Sequence, residues 1–406
     1  EKVSPASKGE FTFDLNGNTV LVSGNFDNGN LGSLSTLETT SRTLTSLKKI
    51  RIKTAYDSYR VEVTNKTFFH FMVQGYPVGR EVVIKVVDVR LLTHMHRVPV
   101  AVNVEGKLSS YRPYVKMGAK GDYQRLTNEQ VVCNQHEDCI DVEMRLVHLT
   151  SILRFFALPY TYERYLNFIR DLPKHCPDYY LRKEVLTYSL ELRLVHLLTI
   201  SSYDEIRDST EVIGGEQLYY IPATTHHVTT EGLPKQTGGD YRCEVHPGES
   251  QSSHCVEGII KFLMSSDLRA YILRRHFQFL IVPMLNPDGV YYGYYRMDTN
   301  SINLNRYYVV CDPRQYSIII TQANIYSLRH LINHYTRAKR LLFFFDLHGH
   351  PRSVGSFLYG NAMDDVVSQT ETCLFAKLLS LNSQTFEYGD CIFSKMEMKC
   401  RVRSVD

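Results

Sequence analysis

The sequence has little net charge, no long apolar run and no even number of cysteines that could all be paired in disulfides. Each of these absences argues against a class of protein. The formal net charge of the 406 residues is only +3, which is too near balance to indicate nucleic-acid binding by charge alone. No window approaches the run of about 20 apolar residues that a membrane helix requires, and residues 1–20 lack the apolar core of a secretory signal. The nine scattered cysteines, an odd number, indicate free thiols in a reducing compartment.

What is present is typical of a folded globular protein, since 43% of the residues are hydrophobic and 22% are charged. Short stretches rich in β-branched and aromatic residues, separated by Gly, Pro and Asn, dominate the first part of the chain. Strands are predicted at residues 11–22, 60–64, 67–73, 81–89, 98–104 and 142–149. No long helical period interrupts them, so we predict an N-terminal antiparallel β-sandwich over residues 1–155. A scaffold role without chemistry of its own is the favoured interpretation of that domain.

From residue 156 to residue 406, strand and helix patterns alternate. Helices are predicted at residues 162–172 and directly after Glu249, where apolar residues recur on one helical face. Strands are predicted at residues 185–202, 277–284, 341–345 and 356–359. Residues 203–242 show no clear period, and no element is predicted there. Strands that alternate with helices, with polar residues at strand ends, favour an α/β sheet enzyme.

The candidate chemistry lies in the sequence H-P-G-E at residues 246–249, together with His348 in D-L-H-G-H. A histidine and a glutamate three residues apart can direct His246 and Glu249 at one point, and a distant histidine completes the set. Three protein ligands and one open position are what a catalytic zinc ion (Zn²⁺) needs. On the H-x-x-E pattern alone, a surface histidine beside a glutamate that favours a helix N-terminus is the better interpretation. The leading hypothesis, a zinc peptidase, therefore depends on further features.

Two arginines suit a peptidase that acts at C-termini. Asn305 and Arg306 follow the N-P-D-G turn at residues 286–289, and an arginine fork with an added asparagine donor can hold a terminal carboxylate. Arg296 could stabilise a developing oxyanion. A structural ion pair for Arg306 and a solvated loop position for Arg296 fit the sequence about equally well.

Other polar residues flank His348. Asp346 and His350 could orient its imidazole ring by hydrogen bonding, or each could be satisfied locally at the end of a strand. Arg352 could add positive charge for an acidic substrate, and an ordinary surface arginine is the alternative interpretation. None of these positions decides the function by itself.

Several motifs together resemble the cytosolic carboxypeptidases, a branch of the zinc metallocarboxypeptidases. They are H-P-G-E-S at residues 246–250, V-P-M-L-N-P-D-G-V at 282–290, L-N-R at 304–306 and D-L-H-G-H at 346–350. A P-Y-T-Y stretch at residues 159–162 and the sequence at 25–31 extend the resemblance over most of the chain. The resemblance implies an N-terminal β-sandwich packed on an α/β carboxypeptidase domain with a mixed central sheet.

The same resemblance implies an activity, the removal of C-terminal or branched glutamates, mainly from tubulin tails. It also implies a cytoplasmic protein that associates with microtubules or cilia. Carried over by motif, the zinc ligands are His246, Glu249 and His348, the residues that bind the substrate carboxylate are Asn305 and Arg306, and the oxyanion stabiliser is Arg296.

Two features depart from the family pattern. Residues 239–244 are more polar than the strand that the family has there. The family's general base, a glutamate well beyond the second histidine, has no match before Asp406, and the chain begins with Glu1 rather than Met. We therefore expect a chain that is cut short. The alternative is a catalytically impaired pseudo-enzyme that binds microtubules without cleaving, because a positioned base is worth roughly 10²–10⁴-fold in rate. Amidohydrolase chemistry at the same zinc ion is a second alternative.

Overall fold

The fold is described by a computed structural model. It describes residues 9–15, 18–37, 49–54, 69–75, 82–89, 113–117, 121–136, 140–146, 151–154, 158–203, 210–212, 229–231, 237–243, 245–308, 323–350 and 355–393. By backbone proximity the chain divides into two compact units, one of Glu1–Leu304 with Asp312–His348 and the other of Asn305–Cys311 with Gly349–Asp406. The predicted domain boundary near residue 155 stays a prediction.

Eleven described strands precede the first helix. They are β1 (Glu10–Leu15), β2 (Asn18–Ser23), β3 (Leu31–Leu37), β4 (Lys49–Thr54), β5 (His70–Gln74), β6 (Val82–Val89), β7 (Tyr114–Met117), β8 (Tyr123–Arg125), β9 (Val131–Gln135), β10 (Ile140–Leu146) and β11 (Ser151–Arg154). One sheet has the order β1-β2-β5-β11-β7-β8 and the other the order β3-β4-β6-β10-β9. The strand predictions at residues 60–64 and 98–104 lie outside the described residues.

Buried side chains from both sheets form one hydrophobic cluster, which includes Val22, Phe71, Ile84, Val142 and Met144. In the strands they alternate with more exposed positions, as half-buried strands require. The prediction of an antiparallel domain is wrong at one pairing, because β4 and β6 run parallel. Such a pair cannot be joined by a hairpin, and the chain passes through β5 of the other sheet between them.

The rest of the first unit is built around a five-stranded sheet. Its strands are β12 (Tyr180–Tyr188), β13 (Leu194–Ser201), β16 (Thr237–Cys243), β17 (Gln278–Val282) and β18 (Phe344–Leu347), in the order β12-β13-β17-β16-β18, and β14 (Thr210–Val212) pairs separately with β15 (Thr229–Glu231). The pairs β12–β13 and β13–β17 are antiparallel, and β17–β16 and β16–β18 are parallel. The predicted mixed central sheet is therefore confirmed.

Strand β16 was missed because its sequence, T-G-G-D-Y-R-C, is polar and rich in glycine. It forms because β17 and β18 supply hydrogen-bond partners on both sides, and this pairing outweighs weak strand propensity. The strand predicted at residues 356–359 is wrong, since only isolated bridges form there, from Ser356 to Phe386 and from Tyr359 to Ile392.

The described helices are α1 (Tyr162–Asp171), α2 (Gln251–Leu263), α3 (Leu268–His276), α4 (Pro287–Tyr292), α5 (Ala323–Arg337) and α6 (Val366–Asn382), with short 3₁₀ turns at Leu304–Arg306 and Tyr388–Asp390. The two predicted helices correspond to α1 and α2. Their apolar faces pack on β13 and β17 in a second buried cluster that includes Tyr165, Ile200, Ile260 and Ile281. In α4 the side chain of Asn286 caps the N-terminus, a proline follows, and Gly293 ends the helix.

Two general expectations can be compared with the described residues. The cysteines whose side chains are described are free thiols, at Cys133, Cys176, Cys255, Cys373 and Cys391. Within the described part of the chain, no helix combines the length and apolar character needed to cross a membrane.

The buried carboxylate of Asp288 ties α4 to the turn between β12 and β13. Its Oδ1 accepts hydrogen bonds of 2.7 Å from Ser189 Oγ and from Arg193 Nη1, and its Oδ2 accepts one of 3.0 Å from the N–H of Glu191. The Arg193 guanidinium also lies 4.0 Å from the ring centroid of Tyr291. One charge thus holds two elements together at the end of the central sheet.

Replacing Asp288 by Ala should lower the free energy of unfolding by about 3 kcal/mol, because Arg193 loses its partner in a largely buried site. Urea denaturation measures the change. The control is Asp171→Asn at an exposed ion pair, which should change stability by less than about 0.5 kcal/mol. Equal stability of the two variants would refute the structural role of Asp288.

Candidate metal centre

The structure brings His246, Glu249 and His348 together. His246 Nδ1 lies 3.1 Å from His348 Nδ1 and 3.1 Å from Glu249 Oε1, and His348 Nδ1 lies 2.9 Å from Glu249 Oε2. Among the described residues, these three form the group whose ligand atoms lie within 4.8 Å of one another and could hold a metal ion. The arrangement matches the spatial convergence that the sequence motifs predict.

Neighbouring parallel strands explain the convergence. Strand β16 pairs with β18 so that Cys243 lies opposite Leu347. His348 follows β18 directly, and His246 and Glu249 lie in the short loop that joins β16 to α2. Both parts of the site therefore lie at the carboxyl ends of adjacent parallel strands, where functional residues of α/β sheets gather.

The chemistry of these donors fits zinc. Two imidazoles and one carboxylate are a common ligand set for a catalytic zinc ion, and tetrahedral ligands at zinc stand about 3.3 Å apart. The observed separations of 2.9–3.1 Å are close to that value. His246 and Glu249 are buried, whereas the His348 side chain is 28% exposed. The site is therefore reached by solvent on the side of His348.

Each imidazole is oriented by a hydrogen bond at its outer nitrogen. His246 Nε2 donates to Asn303 Oδ1 at 3.1 Å, and His348 Nε2 donates to Asp346 Oδ2 at 2.7 Å. These bonds place the protons on Nε2, so that both Nδ1 atoms face the centre and can bind a metal. Asp346 was a candidate for this task. Asn303 was missed, and no sequence signal marks it beyond its position two residues before Asn305.

The electrostatics favour an ionised carboxylate. Burial raises the pKa of Glu249, but the contacts with His246 and His348 outweigh burial and hold that pKa well below its usual range. Burial lowers the pKa of His246. For His348, burial acts downward, but the carboxylates of Asp346 and Glu249 raise its pKa to about 10. The charge of Glu249 is thus available to a cation.

Arg296 lies beside the three residues. Its Nη1 is 3.5 Å from Glu249 Oε1, and its side chain is 17% exposed. Asn305 and Arg306 form part of the 3₁₀ turn Leu304–Arg306, and Arg306 Nη1 donates to the Asn305 carbonyl at 3.3 Å. They belong to the second unit, and their roles stay predictions. Arg352 lies outside the described residues.

Comparison with known proteins identifies the class. Residues 165–387, more than half of the 406-residue chain, match the Peptidase M14 family, described as zinc carboxypeptidase. The chain belongs to this family of zinc carboxypeptidases, which agrees with the ligand set found in the structure.

The similar curated proteins confirm the resemblance to cytosolic carboxypeptidases. The chain is 29% identical to cytosolic carboxypeptidase 6 of Homo sapiens over 387 residues, with 92% of this chain and 66% of that protein covered. It is also 29% identical to the Mus musculus protein of the same name, with 97% and 63% covered. Identity to cytosolic carboxypeptidase-like protein 5 of Rattus norvegicus is 26%, with 95% and 58% covered. The chain thus spans less than two thirds of the length of these relatives.

Solved structures share the fold. A metallo-carboxypeptidase from Burkholderia cenocepacia superposes with a TM-score of 0.64 at 20% identity, covering 94% of this chain and 85% of that chain. A metallo-carboxypeptidase from Pseudomonas aeruginosa, in complex with (2-guanidinoethylmercapto)succinic acid, gives 0.58 at 15% identity, with 88% and 78% covered. At these identities the likeness concerns the fold alone.

Replacing Asn303 by Leu should lower zinc affinity by about 10–100-fold, because the imidazole of His246 loses the bond that orients it. Asn303→Asp keeps an acceptor and should retain zinc binding. Competition with a chromophoric chelator measures the affinity. The matched control is Asn300→Ala, at an exposed position of the same loop, and equal affinities of Asn303→Leu and Asn300→Ala would refute the role of Asn303.

The buried carboxyl group of Asp298 lies, in the sequence, between Arg296 and Asn303. Asp298 Oδ1 accepts from the N–H groups of Asn300 at 2.9 Å and Ile302 at 2.7 Å, while its Oδ2 has no hydrogen-bond partner in the described part of the chain. Burial raises the pKa of Asp298 to about 7, although the two N–H donors act against it. Because the pKa in the folded state exceeds the ordinary value of 3.8, the contribution of Asp298 to stability falls as pH rises from 3.8 toward 7.

Asp298→Asn keeps the acceptor and removes the titration. Relative to the unmodified chain, its free energy of unfolding should rise by an amount that grows between about pH 4 and pH 7, levels off above, and reaches on the order of 4 kcal/mol. Urea denaturation in matched buffers gives this difference, and contributions of other groups cancel. Asp171→Asn should give a flat difference. A flat difference for Asp298→Asn as well would show that Asp298 ionises normally in the fold.

Proposed function

We propose that the chain is a zinc-dependent carboxypeptidase that removes C-terminal or branched glutamates from acidic protein tails, foremost those of tubulin. The observation that carries this is the meeting of His246, Glu249 and His348 ligand atoms at 2.9–3.1 Å in a chain of the zinc carboxypeptidase family. The names of the relatives, cytosolic carboxypeptidases, support a cytoplasmic protein. Association with microtubules or cilia is part of the proposal.

The three residues would hold the metal through His246 Nδ1, His348 Nδ1 and the Glu249 carboxylate. When bound, zinc would lower the pKa of a water molecule to about 7 and would polarise the scissile carbonyl. Asn303 and Asp346 keep both imidazoles in the tautomer that leaves Nδ1 free for the ion. The carboxylate of Glu249 brings a negative charge that partly neutralises the cation.

Arg296 stabilises the negative charge that develops on the substrate carbonyl oxygen during attack. Its guanidinium already lies 3.5 Å from the metal-ligating carboxylate. A positioned donor of this kind is worth about 10²–10³-fold in rate. Its positive charge also favours an acidic substrate.

Asn305 and Arg306 anchor the free terminal carboxylate of the substrate. A guanidinium binds a carboxylate through two parallel hydrogen bonds, and the neighbouring amide adds a third donor. This anchor selects a free chain end and not the side chain next to it. This assignment is supported by the L-N-R motif and by its order and spacing in the sequence relative to the motifs that carry the metal ligands.

The architecture we propose with this function is an N-terminal β-sandwich over residues 1–155, packed on a carboxypeptidase domain over residues 156–406. One buried cluster shared by both N-terminal sheets supports the sandwich. The hydrogen bond that Asp27 accepts from the Glu163 N–H of α1 and the one that Asn28 donates to the Val290 carbonyl of α4 support the packing of the two parts.

Peptides that end in several glutamates should lose glutamate one residue at a time, and a chelator should abolish the release until zinc is added back. An enzymatic glutamate assay follows the reaction. The same peptide with an amidated C-terminus should be inert, because Arg306 has no carboxylate to hold. Arg306→Ala should reduce kcat/KM by about 100-fold or more, and the exposed control Arg170→Ala should stay within about twofold.

The outcomes separate the alternatives. Cleavage of the amidated peptide at the same rate would contradict the exopeptidase assignment and favour amidohydrolase chemistry. Equal rates on peptides that end in Glu, Lys or Phe would contradict selectivity for glutamate. Zinc binding with microtubule co-sedimentation but no glutamate release would identify the catalytically impaired, microtubule-binding alternative.

A further inference from the structure

A loop from the N-terminal strands caps two helices of the carboxypeptidase fold. Asn28 Nδ2 donates to the Val290 carbonyl at 2.7 Å, and the Asn28 N–H donates to the Tyr291 carbonyl at 2.9 Å. These carbonyls lie in the last turn of α4, where a helix runs out of the usual intrahelical donors. The Val290 carbonyl also accepts from the N–H of Gly293 at 3.1 Å. The neighbouring Asp27 Oδ2 accepts from the N–H of Glu163 at 2.6 Å, in the first turn of α1. The residue pair 27–28 thus places an acceptor at a helix N-terminus and donors at a helix C-terminus.

The capping residue is held in one conformation. Asn28 is 1% exposed and has a φ of 67°, in the left-handed region that asparagine tolerates better than most residues. His70 Nδ1 donates to the Asn28 carbonyl at 3.1 Å, and the His70 N–H donates to Asn30 Oδ1 at 2.8 Å. The ring of Phe26 packs edge-on against His70, with centroids 4.9 Å apart. Contacts with strand β5 therefore fix the conformation of the loop that contacts α4.

The loop that contains Asn28 packs closely against Gly293, the residue that ends α4. Gly293 has a φ of +69°, and a Cβ there would lie 2.6 Å from the Asn28 carbonyl oxygen and 2.8 Å from that of Gly29. Only glycine can occupy this position without moving the loop. The path of the chain beyond α4 is thus set by contact with the N-terminal strands.

From Gly293 the chain leads straight to the metal centre. Two residues on, the Tyr295 carbonyl accepts from the N–H of Gly248 at 2.8 Å, and a Cβ on Gly248 would clash with the ring of Tyr295. Gly248 separates the two ligands of the H-P-G-E loop, and Arg296 follows Tyr295 directly. The segment 293–296 is therefore clamped between the loop of Asn28 on one side and the ligand loop on the other.

We propose that Asn28 is a positioning residue for the metal centre, acting through α4, Gly293 and Tyr295 on the loop of His246 and Glu249 and on Arg296. The N-terminal strands are then a working part of the site and not a detached scaffold. This inference rests on the proposed function in so far as His246 and Glu249 are the metal ligands.

The test uses the full chain with two substitutions. Asn28→Gly is compatible with the left-handed backbone, keeps the main-chain N–H, and removes the side-chain donor to Val290. Asn28→Asp keeps the shape and sets a carboxylate oxygen against the Val290 carbonyl. One lost hydrogen bond corresponds to about a 2–10-fold effect, so zinc affinity should fall by about that factor in Asn28→Gly and by more in Asn28→Asp.

The second readout needs no metal. In the zinc-free chain, hydrogen exchange of the backbone at residues 246–249 and 293–296 should accelerate in both Asn28 variants by about the same factor, while β13 exchanges unchanged. The matched control is Val142→Ala, which removes buried volume from the core of the N-terminal sheets and should destabilise by about 1–3 kcal/mol. It should leave both the zinc affinity of the folded protein and the exchange at these segments unaltered.

Two results would overturn the proposal. One is unchanged zinc affinity and exchange in Asn28→Gly and Asn28→Asp. The other is an equal change in Val142→Ala at matched stability, which would assign the effect to general destabilisation. If the unmodified chain fails to bind zinc, the ligand assignment fails instead, and the exchange readout alone decides whether Asn28 positions the segment.

Discussion

The close approach of two imidazole nitrogens and a carboxylate is the constraint on which the rest of the structure depends. His246 Nδ1, His348 Nδ1 and the Glu249 oxygens lie 2.9–3.1 Å apart. Such donors are costly to hold together in a buried place unless a cation or a proton lies between them. The parallel pairing of β16 with β18 brings the two backbones together, and Asn303 and Asp346 turn the rings inward. The fold pre-organises the donors, so a metal ion has little ordering to impose.

Helix α4 connects this centre to distant parts of the chain. Asn286 caps it and donates through Nδ2 to the Val245 carbonyl, next to His246. Asp288 fastens it to the β12–β13 turn, and Gly293 receives the N-terminal loop. The N-P-D-G sequence therefore does more than form a turn after a buried strand. Together with the rest of α4, it joins the central sheet, the ligand loop and the N-terminal strands in one hydrogen-bonded assembly.

Part of this could be predicted from the sequence, because some of the information is local. The buried strand β17 is a nearly continuous apolar run, and α1 and α2 show helical periods. The H-P-G-E and D-L-H-G-H motifs identify the loop before α2 and the end of β18 as the places where functional residues lie. Strand β16 could not be predicted, since its hydrogen bonds come from neighbours on both sides and its own composition is polar. Asn303 and Asn28 act through space. Asn28 and Val290 are 262 residues apart in the sequence, and nothing in either neighbourhood signals that they meet.

The central claim is that one zinc ion is bound by His246, Glu249 and His348, and X-ray absorption spectroscopy at the zinc edge of the purified chain tests it most directly. The account predicts one tightly bound zinc ion with only nitrogen and oxygen neighbours, at about 2.0–2.2 Å, and loss of that signal when Glu249 and His348 are replaced by Ala. A sulfur neighbour at about 2.3 Å, or the same spectrum in the doubly substituted chain, would contradict it.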